Sequence, residues 1–95
     1  MVKIIKGSKN MRYAGHYNFY TPVIRINPHI KNPKDKKLVI HHEKVERTKR
    51  IKHGWSYKKA HKFATKSEKR YAKKLKVNWK RYGKRIDSIY ARRKK

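Results

Sequence analysis

The stretch from Ser56 to Arg92 decides the fold, and it reads SYKKAHKFATKSEKRYAKKLKVNWKRYGKRIDSIYAR. Its apolar residues recur three, four or seven positions apart, which places them on one face of an α-helix. The positions between them are almost all Lys or Arg. We therefore predict a long, basic C-terminal helix with an apolar stripe made of Tyr57, Ala60, Ala64, Tyr71, Leu75, Trp79, Tyr82, Ile86 and Ile89.

The sequence leaves two interpretations of this segment, one continuous helix or two helices. One interpretation is a single helix from about Ser56 to Arg92. The other is a short helix that ends near Ala64 and a longer one in which Thr65 is the N-cap and Glu68 the third residue of a capping box. Gly83 lies off the apolar stripe, so we expect it to weaken the helix by ~1 kcal/mol relative to Ala without ending it.

The segment before Gly54 has β-type and turn-forming residues instead. Val2 to Ile5 predicts a short strand, and Leu38 to Ile40 a strand core. Tyr17 to Ile26 predicts an edge or broken strand, because Pro22 lacks an amide donor. Asn27-Pro28 and the run from Asn32 to Asp35 are turn signals, so a β-hairpin over roughly residues 19–42 is the simplest assembly.

These patterns predict an α+β fold in two segments. Residues 1–54 form a small extended or β-hairpin segment, and residues 55–95 form the basic amphipathic helical segment. Only 36% of the residues are hydrophobic, against about 45–50% in ordinary globular chains. We therefore expect a chain that completes its fold against a partner.

The charge indicates what that partner is. The chain has 31 Lys plus Arg, 5 Asp plus Glu and a formal net charge of +26 in 95 residues. Such a chain repels itself in free solution, and a polyanion is its natural counter-charge. Each phosphate that it neutralises also releases condensed counterions, which favours binding.

The predicted contacts to nucleic acid are cations, with aromatic residues beside some of them. The aromatic run from Tyr13 to Tyr20 lies near Lys9, Arg12 and Arg25, and one or two of its rings could stack on unpaired bases while the others face a core. The predicted RNA-binding residues are Lys9, Arg12, Tyr17, Arg25, Lys58, Lys59, Lys62, Lys69, Arg70, Lys73, Lys74, Lys80, Arg81, Lys84, Arg85, Arg92 and Arg93.

His41-His42-Glu43 suggests a metal or nuclease site, with His61 downstream. A ββα nuclease would also need an Asn after its first His, and none occurs between Glu43 and Ala60. Because His and Glu at this spacing are common on surfaces, we expect no metal, no cofactor and no catalytic residue here. The chain has no Cys, no Gly-rich phosphate loop and no nucleophile motif.

The chain resembles small basic ribosomal proteins, especially those of organellar ribosomes, in its aromatic N-terminal part and its Lys-rich C-terminal helix. Pro22 to Ile26 and Lys69 to Leu75 are similar to a strand and a basic helix of the bacterial small-subunit ribosomal protein twenty-one family. That resemblance implies contacts to 16S-type rRNA near the platform through Arg25, Lys69, Arg70, Lys73 and Lys74. About twenty residues precede the strand here, whereas the family begins almost at it.

From the sequence we therefore expect a structural, non-enzymatic ribosomal protein. Its partners would be rRNA and neighbouring ribosomal proteins, with no membrane and no small-molecule substrate, since no apolar run approaches the ~18 residues of a membrane span. Its location would be a mitochondrial ribosome or, alternatively, a cytoplasmic one. A nucleoid or DNA-packaging protein that binds duplex DNA is the alternative function. The aromatic segment favours RNA, because irregular RNA offers unstacked bases.

Overall fold

The computed structural model describes residues 2–8, 11 and 13–93, with the backbone alone for residues 90–93. These residues form a three-stranded sheet followed by three helices. The strands are β1 (Lys3–Lys6), β2 (Gly15–Tyr17) and β3 (Val23–Ile26). The helices are α1 (Pro33–His53), α2 (Tyr57–Lys74) and α3 (Trp79–Arg93). The predicted α+β class is confirmed, whereas the prediction of one or two helices is wrong.

The sheet has β3 at its centre, in the order β1-β3-β2. β1 pairs parallel to β3 with Ile4 opposite Ile24, and β2 pairs antiparallel with His16 opposite Arg25. The predicted strand over Tyr17 to Ile26 is therefore two strands. They are joined by a turn in which the Asn18 side chain accepts hydrogen bonds from the backbone N–H groups of Tyr20 and Thr21.

Helix α1 occupies residues that we predicted as turn, strand and hairpin, so the hairpin over residues 19–42 is wrong. The helix begins with an ordinary N-cap: Asn32 accepts from the N–H groups of Lys34 and Asp35, and Pro33 occupies the first turn. It ends at Gly54, whose φ of 65° is the left-handed conformation that glycine adopts without strain. These signals outweigh the β-branched residues near Ile40.

Helix α2 begins where the sequence predicted a helix start, with Ser56 as its N-cap. Thr65 does not cap a second helix, because its hydroxyl donates to the His61 carbonyl in mid-helix. The buried face of α2 is narrow, since it carries Ala60, Ala64 and Ala72. Small side chains at this spacing let the helix lie close to α1.

The predicted long helix breaks between α2 and α3. Lys76 has a φ of 60°, and the Val77 N–H donates to the Ala72 carbonyl at 2.8 Å. Asn78 then starts α3 by accepting from the Arg81 N–H at 3.0 Å. Gly83 lies inside α3 and does not end it, as the sequence predicted.

The core lies where α1 packs on the sheet, and its centre is made of Ile24, Leu38 and Asn27, which are fully buried. Arg85 on α3 donates two hydrogen bonds, of 2.7 and 2.8 Å, to the buried Asp35 carboxylate on α1. The fold is a compact globule with extents of 34 × 29 × 23 Å. None of the helices described is long and apolar enough to cross a membrane.

Candidate metal and catalytic site

A cleft between the helices and β2 collects the few acidic residues of this basic chain. Its volume is about 860 Å³, and α1, α2, α3 and residues 13–20 line it. Of the five acids in the sequence, four lie on its walls: Glu43, Glu46, Glu68 and Asp87. In a chain of net charge +26, solvation alone gives no reason to gather carboxylates in one place.

Three side chains at the bottom of the cleft could hold one metal ion. Glu46 Oε1 lies 3.3 Å from His42 Nε2 and 2.8 Å from His61 Nδ1, and these two nitrogens are 3.3 Å apart. Ligand bonds of ~2.0–2.1 Å in a tetrahedral zinc site place the ligand atoms about 3.3 Å from one another. Two of the three separations equal that value, whereas Glu46 Oε1 and His61 Nδ1 are at a hydrogen-bond distance, so these three side chains could hold a cation after a small shift of His61.

The local structure explains why these atoms meet. His42 and Glu46 are four residues apart on α1, so both lie on the face that looks into the cleft. His61 comes from the second turn of α2, which the turn at Gly54 folds back against α1. Two rigid helices thus supply all three candidate ligands.

A second layer of hydrogen bonds holds the first. Glu68 Oε1 lies 2.8 Å from His42 Nδ1 and accepts its N–H, so Nε2, which faces Glu46 and His61, is the nitrogen that would bind a cation after losing its proton. Tyr82 on α3 donates its hydroxyl to the other oxygen of Glu68. A carboxylate behind a histidine fixes the orientation of the ring and raises its basicity, as is usual at metal sites.

The charges of the cluster balance only if a positive charge lies among them. Burial opposes protonation of His42, but hydrogen bonds with Glu46 and Glu68 raise its pKa to about 10. Burial alone would raise the pKa of Glu46, yet its hydrogen bonds with His42, Tyr17 and His61 hold it below its usual value. A proton on His42 supplies this charge when no metal is bound, and a divalent cation would supply it instead.

Glu43 follows the candidate ligand His42 and faces the same cleft. Burial raises the pKa of its carboxyl to about 7, against the opposing effect of His42. A Cβ atom on Gly15 of β2 would lie 3.0 Å from Glu43 Cγ. The backbone of β2 at Gly15 therefore packs closely against the Glu43 side chain and restricts its movement.

The cleft is open to solvent on the side of α2. The side chain of His61 is 49% exposed, whereas those of Glu46 and His42 are 4% and 11% exposed. A cation can therefore reach the cluster from the His61 side. Two of the three ligands are held by burial before it arrives.

The predicted RNA-contacting cations are on the surface, away from these acids. Arg25 and every predicted Lys and Arg on α2 and α3 whose side chain is described are exposed. Arg85 is also bound to Asp35, so it has a structural role. Tyr17 is buried and its hydroxyl accepts from Arg50, which leaves no ring face for a base. Lys9, Arg12 and the side chains of Arg92 and Arg93 lie outside the described residues.

The sequence analysis considered His41, His42, Glu43 and His61 together as a metal or nuclease site. It did not include Glu46 or Glu68. The reason is the strand predicted at Leu38 to Ile40. In a strand, residues four apart lie on one face but about 13 Å from each other, too far to share one metal ion, whereas on a helix they are neighbours. Comparisons with protein-family models, with curated proteins and with solved structures found nothing that matches this chain.

Proposed function

We propose that the protein is a metal-dependent hydrolase that cleaves amide bonds. The observation that supports it is the convergence of His42, Glu46 and His61, whose ligand atoms lie within 3.3 Å of one another. Two His and one Glu around a fourth, open position are a ligand set of zinc peptidases. Hydrolysis by one metal needs a general base beside it, and Glu43 follows the first ligand, as in helical motifs of that chemistry.

The chain's residues would divide the reaction as follows. His42, Glu46 and His61 would hold the cation, which would supply the Lewis acidity that activates a water and a substrate carbonyl. Glu43 accepts a proton from that water as its oxygen forms a bond to the carbonyl carbon. The same carboxyl would then return the proton to the nitrogen as the C–N bond breaks, so the products are one amine and one carboxylic acid, which ionises in water. Glu68 and Tyr82 keep His42 oriented throughout.

Metal binding is the first test. We expect the purified protein to bind one Zn²⁺ in competition with a chromophoric chelator. The variant His61→Ala should lose most of that affinity, because it removes one of three ligands. His53→Ala is the matched control, since His53 is exposed near the end of α1 and outside the cluster. Equal affinities for the two variants would rule out the proposed site.

Catalysis is the second test. We expect zinc-loaded protein to release fluorescent fragments from a quenched casein substrate, and Glu43→Gln to abolish the release. Glu43→Gln should still bind zinc, because Glu43 is not among the ligands. If the wild-type protein binds zinc but cleaves neither casein nor unstructured peptides, the site is structural and the hydrolase proposal fails.

A second candidate function is binding of nucleic-acid phosphates, including the expected role in a ribosome. It is supported by the contrast between the exposed cations and the acids: three of the five acids, Asp35, Glu46 and Glu68, are buried. The outer surface is therefore almost uniformly positive. This candidate does not exclude the first, because the cations and the cleft occupy different parts of the molecule.

Salt dependence tests this second function. Replacing Lys80, Arg81 and Lys84 together with Gln should lower the slope of log affinity against log salt by up to about three contacts on RNA. Arg85 is left in place because it binds Asp35. The matched control replaces Lys36, Lys37 and Lys44, which are exposed on α1. If the salt slope falls equally in both variants, no particular face of the protein binds RNA. That result would contradict a structural role on rRNA.

A further inference from the structure

The cleft continues along α1 beyond the candidate metal ligands. Arg50 lies four residues after Glu46, which is about 6 Å farther along the helix axis, and it lines the same cleft. Its side chain has aromatic walls: the guanidinium carbon is 4.9 Å from the ring centroid of Phe19 and 5.8 Å from that of Tyr57. A positive charge with a fixed plane therefore lies one helical turn from the metal cluster.

The hydrogen bonds of Arg50 are incomplete. Its Nη1 donates to the Tyr17 hydroxyl at 3.1 Å. Its Nε is buried and has no partner among the described residues. A guanidinium has five N–H donors arranged to bind both oxygens of a carboxylate. Nε is closed off from solvent, so an acceptor in the cleft would meet the Nη groups of the guanidinium, since Arg50 lines the cleft.

We propose that Arg50 binds a carboxylate side chain, Asp or Glu, of an extended polypeptide substrate. This inference rests on the proposed hydrolase function and deepens it by naming the substrate class. Phe19 and Tyr57 would hold the guanidinium plane, and Tyr17 would fix one end of it. Arg50 would thereby select the side chain at one position of the substrate. That position would lie about one or two residues from the cleaved bond.

Two features favour a polypeptide as the occupant. β2 is an edge strand and all of it lines the cleft, so an extended chain could add to the sheet through main-chain hydrogen bonds. The net charge of +26 also attracts acidic chains and raises their rate of encounter. Single-stranded nucleic acid is the other polyanion that the exposed Tyr13 and Tyr20 rings could hold, and the test includes it.

The experiment measures binding, so that it does not depend on catalysis. Zinc-loaded Glu43→Gln protein is titrated into two fluorescent pools of decapeptides, one with Glu and one with Gln fixed at a central position. We expect the Glu pool to bind about tenfold more tightly, the effect of a hydrogen bond to a charged group. Adding Arg50→Gln should remove this preference. Lys52→Gln, which removes one exposed charge from the same helix, should keep it.

A further variant separates the subsite from the fold. Arg50→Lys keeps the charge but loses the planar fork, so it should retain a reduced preference while circular dichroism shows an intact helix content. A wild-type protein that binds both pools equally overturns the proposal. The proposal is also overturned if the affinity for an oligouridylate depends on Arg50 while the affinity for the peptides does not.

The outcomes also distinguish this inference from the proposed function. Absence of zinc binding or of cleavage refutes the hydrolase and leaves the Glu preference measurable in the metal-free protein. Loss of the Glu preference in a protein that cleaves peptides refutes the Arg50 subsite alone.

Discussion

Replacing Gly15 with Ala should show whether strand β2 fixes the position of Glu43. A Cβ atom at residue 15 would lie 2.5 Å from Val39 Cγ1 and 3.0 Å from Glu43 Cγ. Ordinary contacts of a Cβ begin at 3.4 Å, so β2 and α1 must separate by about 1 Å or the two side chains must move. Val39 is in the core, and the half-buried Glu43 side chain lies against the strand at Gly15, so neither side chain can move without disturbing its neighbours.

Overpacking of this kind costs about 2 kcal/mol, which corresponds to a fall in Tm of about 10 °C for a domain of this size. Urea unfolding followed by far-ultraviolet circular dichroism measures this change in the free energy of unfolding. Because a displacement of ~1 Å near reacting groups can lower a rate about 100-fold, we also expect a large loss of peptide hydrolysis if the proposed function holds.

Gly83→Ala is the matched control on α3, where an added Cβ meets nothing within 4 Å. It should stabilise the protein by about 1 kcal/mol, because Ala favours a helix more than Gly does. If Gly15→Ala unfolds at the same urea concentration as the wild-type protein, the close approach of β2 to α1 is not present in solution, and Glu43 is not confined as described.

Three further results are expected. Glu68→Gln should weaken zinc binding by about 10–100-fold through the loss of the charged partner of His42, and an unchanged affinity in the chelator assay would contradict this role. Arg85→Gln should lower the free energy of unfolding by about 1 kcal/mol. This loss is smaller than that expected for a fully buried ion pair, because the Arg85 side chain is 43% exposed. The control Lys84→Gln should have almost no effect. Zinc affinity should fall as pH drops below about 10, because zinc must displace the proton that His42 holds up to a pKa of about 10, and titrations that give one affinity at all pH values below 10 would exclude His42 as a ligand.

Several elements were predictable from local signals. A strand was predicted at Val2 to Ile5 and lies at Lys3–Lys6, and the turn at Asn27-Pro28 and the helix start at Ser56 were also predicted, because each depends on residues close in sequence. Helix α1 was not. Its buried face holds Asp35, His42 and Glu46 beside Leu38 and Val39, so the apolar periodicity that marks a helix is weak there. The N-cap Asn32, Pro33 and the C-cap Gly54 were signals of this helix that the β-branched run obscured.

The sequence by itself determined the charge, the basic C-terminal helices and the residue types available for chemistry. Only the tertiary structure decided which of them meet. Glu46 and His61 are separated by the turn at Gly54, and Glu68 and Tyr82 by the break at Lys76. Helix packing over Ala60 and Ala64 brings these polar groups to one cleft. Their convergence depends on inter-helix distances, and spacing along the chain does not encode such distances.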